Sequence, residues 1–215
     1  MAKSNRGGRR PSGGGGLNPA DIKSVTDMIV ERGNYTDEVD DVLTVSRDFI
    51  SEYGDAVPLE QFLIAELKGR AAASTLGYYD GANIAINLAY LDSAKISTAY
   101  AESVKSGYHP GNGTKSAMAA VVAHEFGHAA TDAVAAKMGL TGMGRLHTAA
   151  DTIVEAARKK TGHRGVVQMA RQISGYAATK NAEAVAEAFC DVYCNGSKAR
   201  KESRAIVEVA NSYLK

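Results

Sequence analysis

The sequence predicts an α+β fold, mostly helical, with a small mixed sheet or hairpin in its first half. Three observations predict it. Apolar residues recur at helical spacing through most of the chain after residue 93. Ile84 and Ile86 alternate with Ala85 and Asn87 just after an Asp80-Gly81 turn, the pattern of a hairpin strand. One long, nearly uncharged helical segment stops at Gly139, where a glycine after the last turn ends a helix. A length of 215 residues, 45% hydrophobic and 23% charged, fits one ordinary domain with its own core. There is no internal repeat.

Residues 1–17 form an exception. They are rich in Gly, Arg and Ser and too poor in apolar groups to offset their ordering entropy, so they are expected to be a flexible tail. Residues 18–215 are then the domain. The tail holds Lys3, Arg6, Arg9 and Arg10 and no acid. Setting these four charges aside from the overall +1 leaves the body at about −3. Such a balance argues against a dedicated nucleic-acid binder. The tail has no apolar signal-peptide segment, and no run approaches the roughly 18 apolar residues of a membrane span. A cytoplasmic location with no membrane partner is therefore expected.

In chain order, Asn18-Pro19 opens a helix to about Glu31, as cap and first-turn proline. After Gly33-Asn34, Thr36 caps an acidic helix to about Tyr53, with Val39, Val42, Leu43, Val45 and Phe49 as its stripe. Leu59–Leu67 is apolar but too short to assign between strand and helix. Ser74–Tyr79 and Ala82–Leu88 make the hairpin. Ser93–Val104 is a helix, and Gly107–Gly113 a Gly/Pro loop with Tyr108 and His109. The long helix runs from about Thr114 to Met138. Further helices fall at about 147–160, 164–172, 181–194 and 198–213. Lys198, Arg200, Lys201 and Arg204 are expected on the last of these, as a solvated face or as a nucleic-acid or capsid surface. Cys190 and Cys194, at i and i+4, share a helix face where a disulfide is geometrically poor, so both are expected reduced.

The long helix contains His124-Glu125-Phe126-Gly127-His128. Side chains at i and i+4 project one above the other, so both imidazoles can reach one cation. Glu125 would stand beside the open position, where a carboxylate can take a proton from water. With 5 His in 215 residues, the pattern arises by chance only roughly 0.006 times. A catalytic site needs a third ligand. The metzincin continuation of such a motif would place Gly at 131 and His at 134; Thr131 and Val134 stand there, so that class is excluded. Asp132, one turn further along the stripe, could hydrogen-bond a ligand histidine. His109, His147 and His163 have no ligand-like spacing.

Downstream, Asn181 can cap a helix on which Glu183 and Glu187 share one face among apolar neighbours. Thr179 and Asp191 offer them no short-range cation. Either both carboxylates are solvated, or they are buried and meet a metal with its histidines.

HEFGH followed by Tyr176, then Glu183 seven residues later and Glu187 four after that, resembles the zinc-peptidase domain of anthrax lethal factor and its relatives. The upstream runs G-Y-Y-D-G-A-N-I-A-I-N and G-Y-H-P-G-N-G-T-K-S are similar to metallopeptidase-like domains of phage minor head proteins. Together the likeness covers about residues 59–195. It implies a zincin-like fold and a gluzincin-like zinc metalloendopeptidase, hydrolysing peptide bonds and phage- or prophage-related. It implies Zn²⁺ on His124, His128 and Glu183, Glu125 as general base, and Tyr176 on the developing oxyanion. Glu187 would orient a zinc histidine. The strand bearing Ile84 and Ile86 would be the sheet edge that pairs with substrate. Ala184, Val185 and Ala186 stand where the family pattern has an aromatic pair after the ligand. His109 receives no role and is expected to be an ordinary turn residue. The implied partners are a protein or peptide substrate and phage structural proteins, with a virion-associated location beside the cytoplasmic one. A zinc-binding but catalytically inactive structural protein of a phage particle is the alternative.

Overall fold

Helix α3, Ala117–Lys137, is buried on almost every side, from Ala117 to Gly127 and from Ala129 to Ala135. A helix apolar all round belongs at the centre of a molecule, and the other elements are arranged about it. The computed structural model describes residues 37–54, 56–57, 61–65 and 75–215. The expected tail of residues 1–17, the helix from Asn18 to about Glu31 and the Thr36 cap lie outside the described residues, as does Ser74.

Seven α-helices and one sheet are present among the described residues. They are α1 (Asp37–Tyr53), β1 (Gln61–Ala65), β2 (Gly77–Tyr79), β3 (Asn83–Asn87), α2 (Ser93–Lys105), α3, α4 (Arg145–Thr161), α5 (Val166–Ala170), α6 (Asn181–Asn195) and α7 (Lys201–Leu214). The fold is α+β and mostly helical, as expected. Within the apolar segment 59–67 the described residues 61–65 form a strand, and the expected helix 164–172 shortens to a single turn and a half. No helix is long and apolar enough to cross a membrane among these residues.

The sheet order is β1-β3-β2. β3 pairs parallel with β1 and antiparallel with β2, with Tyr79 opposite Ile84 and Gly77 opposite Ile86. This corrects one expectation. β3 is the central strand, with Ile84 and Ile86 fully buried, so neither its backbone nor those side chains are open to a substrate. Isolated alternation looks the same for an edge and a centre; the third strand, β1, decides. The hairpin turn is as expected: Gly81 has φ +107°, and the Asp80 carboxylate accepts the N–H groups of Ala82 and Asn83 at 3.0 and 2.8 Å.

α3 starts at an N-cap, Ser116, whose hydroxyl accepts the Ala119 N–H at 2.9 Å, and stops before Gly139 at φ +70°. α6 lies against it closely. A Cβ on Gly127 would stand 2.6 Å from the Ala186 Cα and 3.1 Å from the Phe189 Cβ. The small residues after Glu183 therefore tighten the packing, because side-chain size at the crossing sets the distance between two helices. On the far side, Phe49 of α1 stacks on Phe126 at 4.6 Å and meets Phe189 at 6.2 Å.

Two smaller expectations change. Lys180, not Asn181, is the N-cap of α6, and no side chain caps that helix. Asn181 instead donates to Asp151 at 2.8 Å. The four basic residues do not form one helical face either. Lys198 ends a short 3₁₀ turn and only Lys201 and Arg204 lie in α7. Arg200, its N-cap, turns its guanidinium to the Ile173 carbonyl at 3.0 Å. Cys190 and Cys194 are free and buried.

Candidate metal centre

His124 and His128 project from α3, and Glu183 from the first turn of α6. The close crossing at Gly127 and Ala186 brings the two helices near enough for these three side chains to meet. One Glu183 oxygen, Oε2, lies 3.4 Å from Nε2 of His124 and 3.4 Å from Nε2 of His128. That oxygen is buried and has no hydrogen-bond partner among the described residues. One ligand atom from each of the three residues lies within 4.8 Å of the others. A tetrahedron with bonds of about 2.1 Å has edges of about 3.4 Å, so the two measured separations match those of ligand atoms sharing one small cation. The orphaned oxygen and the two-histidine, one-carboxylate donor set therefore fit a metal ion.

The imidazoles are oriented from behind. Glu187, 1% exposed, receives the His124 Nδ1 on Oε1 at 2.8 Å and the Ser174 hydroxyl on Oε2 at 2.7 Å. With Nδ1 turned to Glu187, Nε2 of His124 is the nitrogen that faces Glu183 and would bind a metal. Burial pulls the His124 pKa down, but the Glu183 carboxylate facing its Nε2 and the Glu187 carboxylate bonded to its Nδ1 outweigh it and hold the imidazole up at about 10. Burial pushes the Glu187 carboxyl up, but His109 and His124 bring it down to about 2. Glu183 is also raised by burial and lowered further by both histidines, ending well below the usual carboxylate range. Glu125, buried beside them, is raised by desolvation against the pull of His124 and His128.

Tyr176 stacks on His124, ring centres 5.7 Å apart and planes within 11°. Burial first, then Glu183, raises its phenol pKa, so it stays a hydroxyl donor at neutral pH. Its loop is tied to the Gly-Tyr-His-Pro loop by two backbone bonds, Gly175 N–H to Gly107 O at 2.8 Å and Tyr176 N–H to Tyr108 O at 2.9 Å. Tyr108 stacks on Tyr176 at 5.0 Å.

A groove of about 750 Å³ opens over the cluster, lined by β2, by Glu125 and by the start of α4 with Met143 and Arg145. A second pocket of about 150 Å³ lies behind, sharing Gly77, His124, Glu125 and Tyr176 with the groove. β2 runs close over the general-base candidate: a Cβ on Gly77 would meet the Glu125 Cγ at 3.2 Å. The strand edge at the groove is thus β2, not the strand bearing Ile84 and Ile86.

The five expected site residues His124, Glu125, His128, Tyr176 and Glu183 come together, with Glu187 behind them. Asp132 does not join the histidines. It accepts Arg145 at 2.6 Å on each oxygen and the Tyr79 hydroxyl at 3.1 Å, bracing β2 and α4 to α3. His109, expected to be an ordinary turn residue, instead places Nδ1 3.0 Å from Glu187. Its neighbours Gly107, Tyr108 and Pro110 mark a tight loop in the sequence; nothing in that loop points 78 positions ahead. His163 pairs with Glu202 at 2.8 Å, away from the cluster.

Comparisons with protein-family models, with curated proteins and with solved structures gave no match. The class defined by the fold and the site is thus that of a mostly helical α+β protein with a candidate two-histidine, one-glutamate metal centre in a groove.

Proposed function

We propose that the chain is a zincin-like, zinc-dependent metallopeptidase of the gluzincin type, acting on protein or peptide substrates. The observation that carries the reading is the buried, unpartnered Glu183 oxygen between two histidine Nε2 atoms, with Glu125 beside them in an open groove. The motif likeness to phage head-protein domains extends the proposal to a phage- or prophage-related role.

Zinc held by His124, His128 and Glu183 would supply a Lewis acid for a carbonyl oxygen and for water. The remaining work falls to the chain. An extended substrate pairs its backbone with β2, the edge strand at the groove among the described residues, where side chains alternate in and out of the groove. The carboxylate of Glu125, which lines the groove beside both histidines, accepts a proton from water and returns it to the leaving amine. The Tyr176 hydroxyl donates to the oxyanion. Glu187 and Ser174 keep the His124 ring in place throughout.

The test is hydrolysis of an unbiased peptide library by the full chain, with and without a chelator, alongside Glu125→Gln. Chelator-sensitive cleavage is expected, lost by about 10²–10⁴-fold in Glu125→Gln while zinc remains bound. Cleavage retained in that variant sinks the assignment. Bound zinc with no cleavage by the native chain gives the non-enzymatic structural reading instead.

A further inference from the structure

Glu187 is held at both ends by the two loops that are zipped together beside the site. Ser174, from the Tyr176 loop, donates to Oε2 at 2.7 Å. His109, from the Gly-Tyr-His-Pro loop, meets Oε1 at 3.0 Å, the same oxygen that meets His124 at 2.8 Å. His109 is largely buried, its side chain 17% exposed. Its ring is stacked on Tyr100 with planes within 8°, and its edge geometry to Tyr176 places the centres 5.3 Å apart. Tyr100 also anchors the loop by donating to the Pro110 carbonyl at 3.1 Å. The imidazole is thus stacked on Tyr100, held in edge contact with Tyr176, and offers one nitrogen to a carboxylate that has almost no contact with water.

A buried carboxylate oxygen with one donor can swing toward it; with two donors on one oxygen and a third on the other, its position is determined. We propose that His109 is a positioning residue of the metal centre. It donates Nδ1–H to Glu187 and so fixes the carboxylate that sets the tautomer and orientation of His124. It acts through Glu187 and touches neither metal nor substrate. The inference rests on the metal-centre reading above and adds a residue to it. Groups behind metal ligands of this kind are worth about 10–100-fold in metal affinity.

The experiment measures zinc affinity of the full chain by competition with a chromogenic chelator, and the visible spectrum of the cobalt-substituted protein. His109→Phe keeps an aromatic ring between Tyr100 and Tyr176 and removes the donor; His109→Asn restores an N–H near the Nδ1 position. The expected result is a loss of about 10-fold in zinc affinity and an altered cobalt spectrum in His109→Phe, with recovery in His109→Asn. In a Glu187→Ala background the His109→Phe effect should vanish. Wild-type affinity and spectrum in His109→Phe overturn the inference, as does an equal loss in the Glu187→Ala background. If His109→Phe does not fold, proton–nitrogen NMR of the zinc-loaded native chain decides. A protected Nδ1–H on both His109 and His124 supports the inference, and its absence on His109 overturns it. A native chain that binds no zinc overturns the metal-centre reading as well, whereas zinc binding indifferent to His109 overturns this inference alone.

Discussion

α6 carries three acids four residues apart, Glu183, Glu187 and Asp191, and its two ends treat them in opposite ways. At the C-terminal end Asp191 is saturated. Asn195 donates to Oδ1 at 2.8 Å, while the Arg200 N–H and the Ser203 hydroxyl donate to Oδ2 at 2.9 and 2.6 Å. Three donors, two of them neutral side chains and one a backbone N–H, thus tie the carboxylate into one knot joining α6 to α7, with each of its oxygens hydrogen-bonded. At the N-terminal end Glu183 keeps one oxygen empty-handed beside two imidazoles. Glu187, between them, is saturated like Asp191, but two of its donors are histidines, so its saturation serves the neighbouring ligand. A buried acid with its full set of donors is structural; one left short of donors beside histidines is a place for a metal.

The contrast can be broken most decisively at Glu183. In the native chain, zinc at about 1,000 times its Kd should stabilise the fold by about 4 kcal/mol. For a chain of this size that raises Tm by roughly 8–16 °C. Glu183→Ala should abolish that rise and leave the metal-free melting temperature near that of the native chain, read by calorimetry with and without zinc. Asp191→Ala should do the reverse. Stripping the Arg200 N–H and Ser203 of their buried acceptor should cost about 2–4 kcal/mol in urea unfolding, with the zinc-induced rise retained. If Asp191→Ala removes zinc binding and Glu183→Ala does not, the division between the two ends of the helix is wrong.

Gly127→Ala sharpens the comparison at the crossing that serves the metal end. Alanine should favour the helix by about 1 kcal/mol, but its Cβ would stand 2.6 Å from a backbone atom of α6. Separating the helices should therefore win, with a net loss of about 1–3 kcal/mol by denaturant unfolding and weaker zinc binding. Arg145→Ala should have the smallest effect. Arg145 is 41% exposed, so solvent screens its pair with Asp132, and a loss of about 1 kcal/mol is expected with zinc affinity unchanged by chelator competition.

Much of the candidate metal centre was legible because its signals are local. HEFGH places two imidazoles on one face whatever the rest of the chain does. The spacing Tyr176, Glu183, Glu187 within one loop and helix is equally self-contained. The helix end at Gly139 followed from capping chemistry that acts within one turn, whereas the start, expected at about Thr114, falls two residues later at the Ser116 cap. The errors lie where partners come from far along the chain. The strand of Ile84 and Ile86 alternates correctly, yet β1, some twenty residues earlier, turns it from an edge into the centre of the sheet. Asp132 sits on the stripe of the histidines, yet Arg145 and Tyr79 claim it. His109 gives no sign of its role, because Glu187 reaches it only after α3 and α6 have packed.

By itself, then, the sequence determined the helical architecture, the motif-bearing helix and the residue types that can bind a cation, since periodicity and capping act over one or two turns. Tertiary structure alone decided which buried acid has its donors supplied and which is left open. Glu183, Glu187 and Asp191 are equivalent as positions on a helix; they differ only in what α3, the loop of His109 and α7 bring against them.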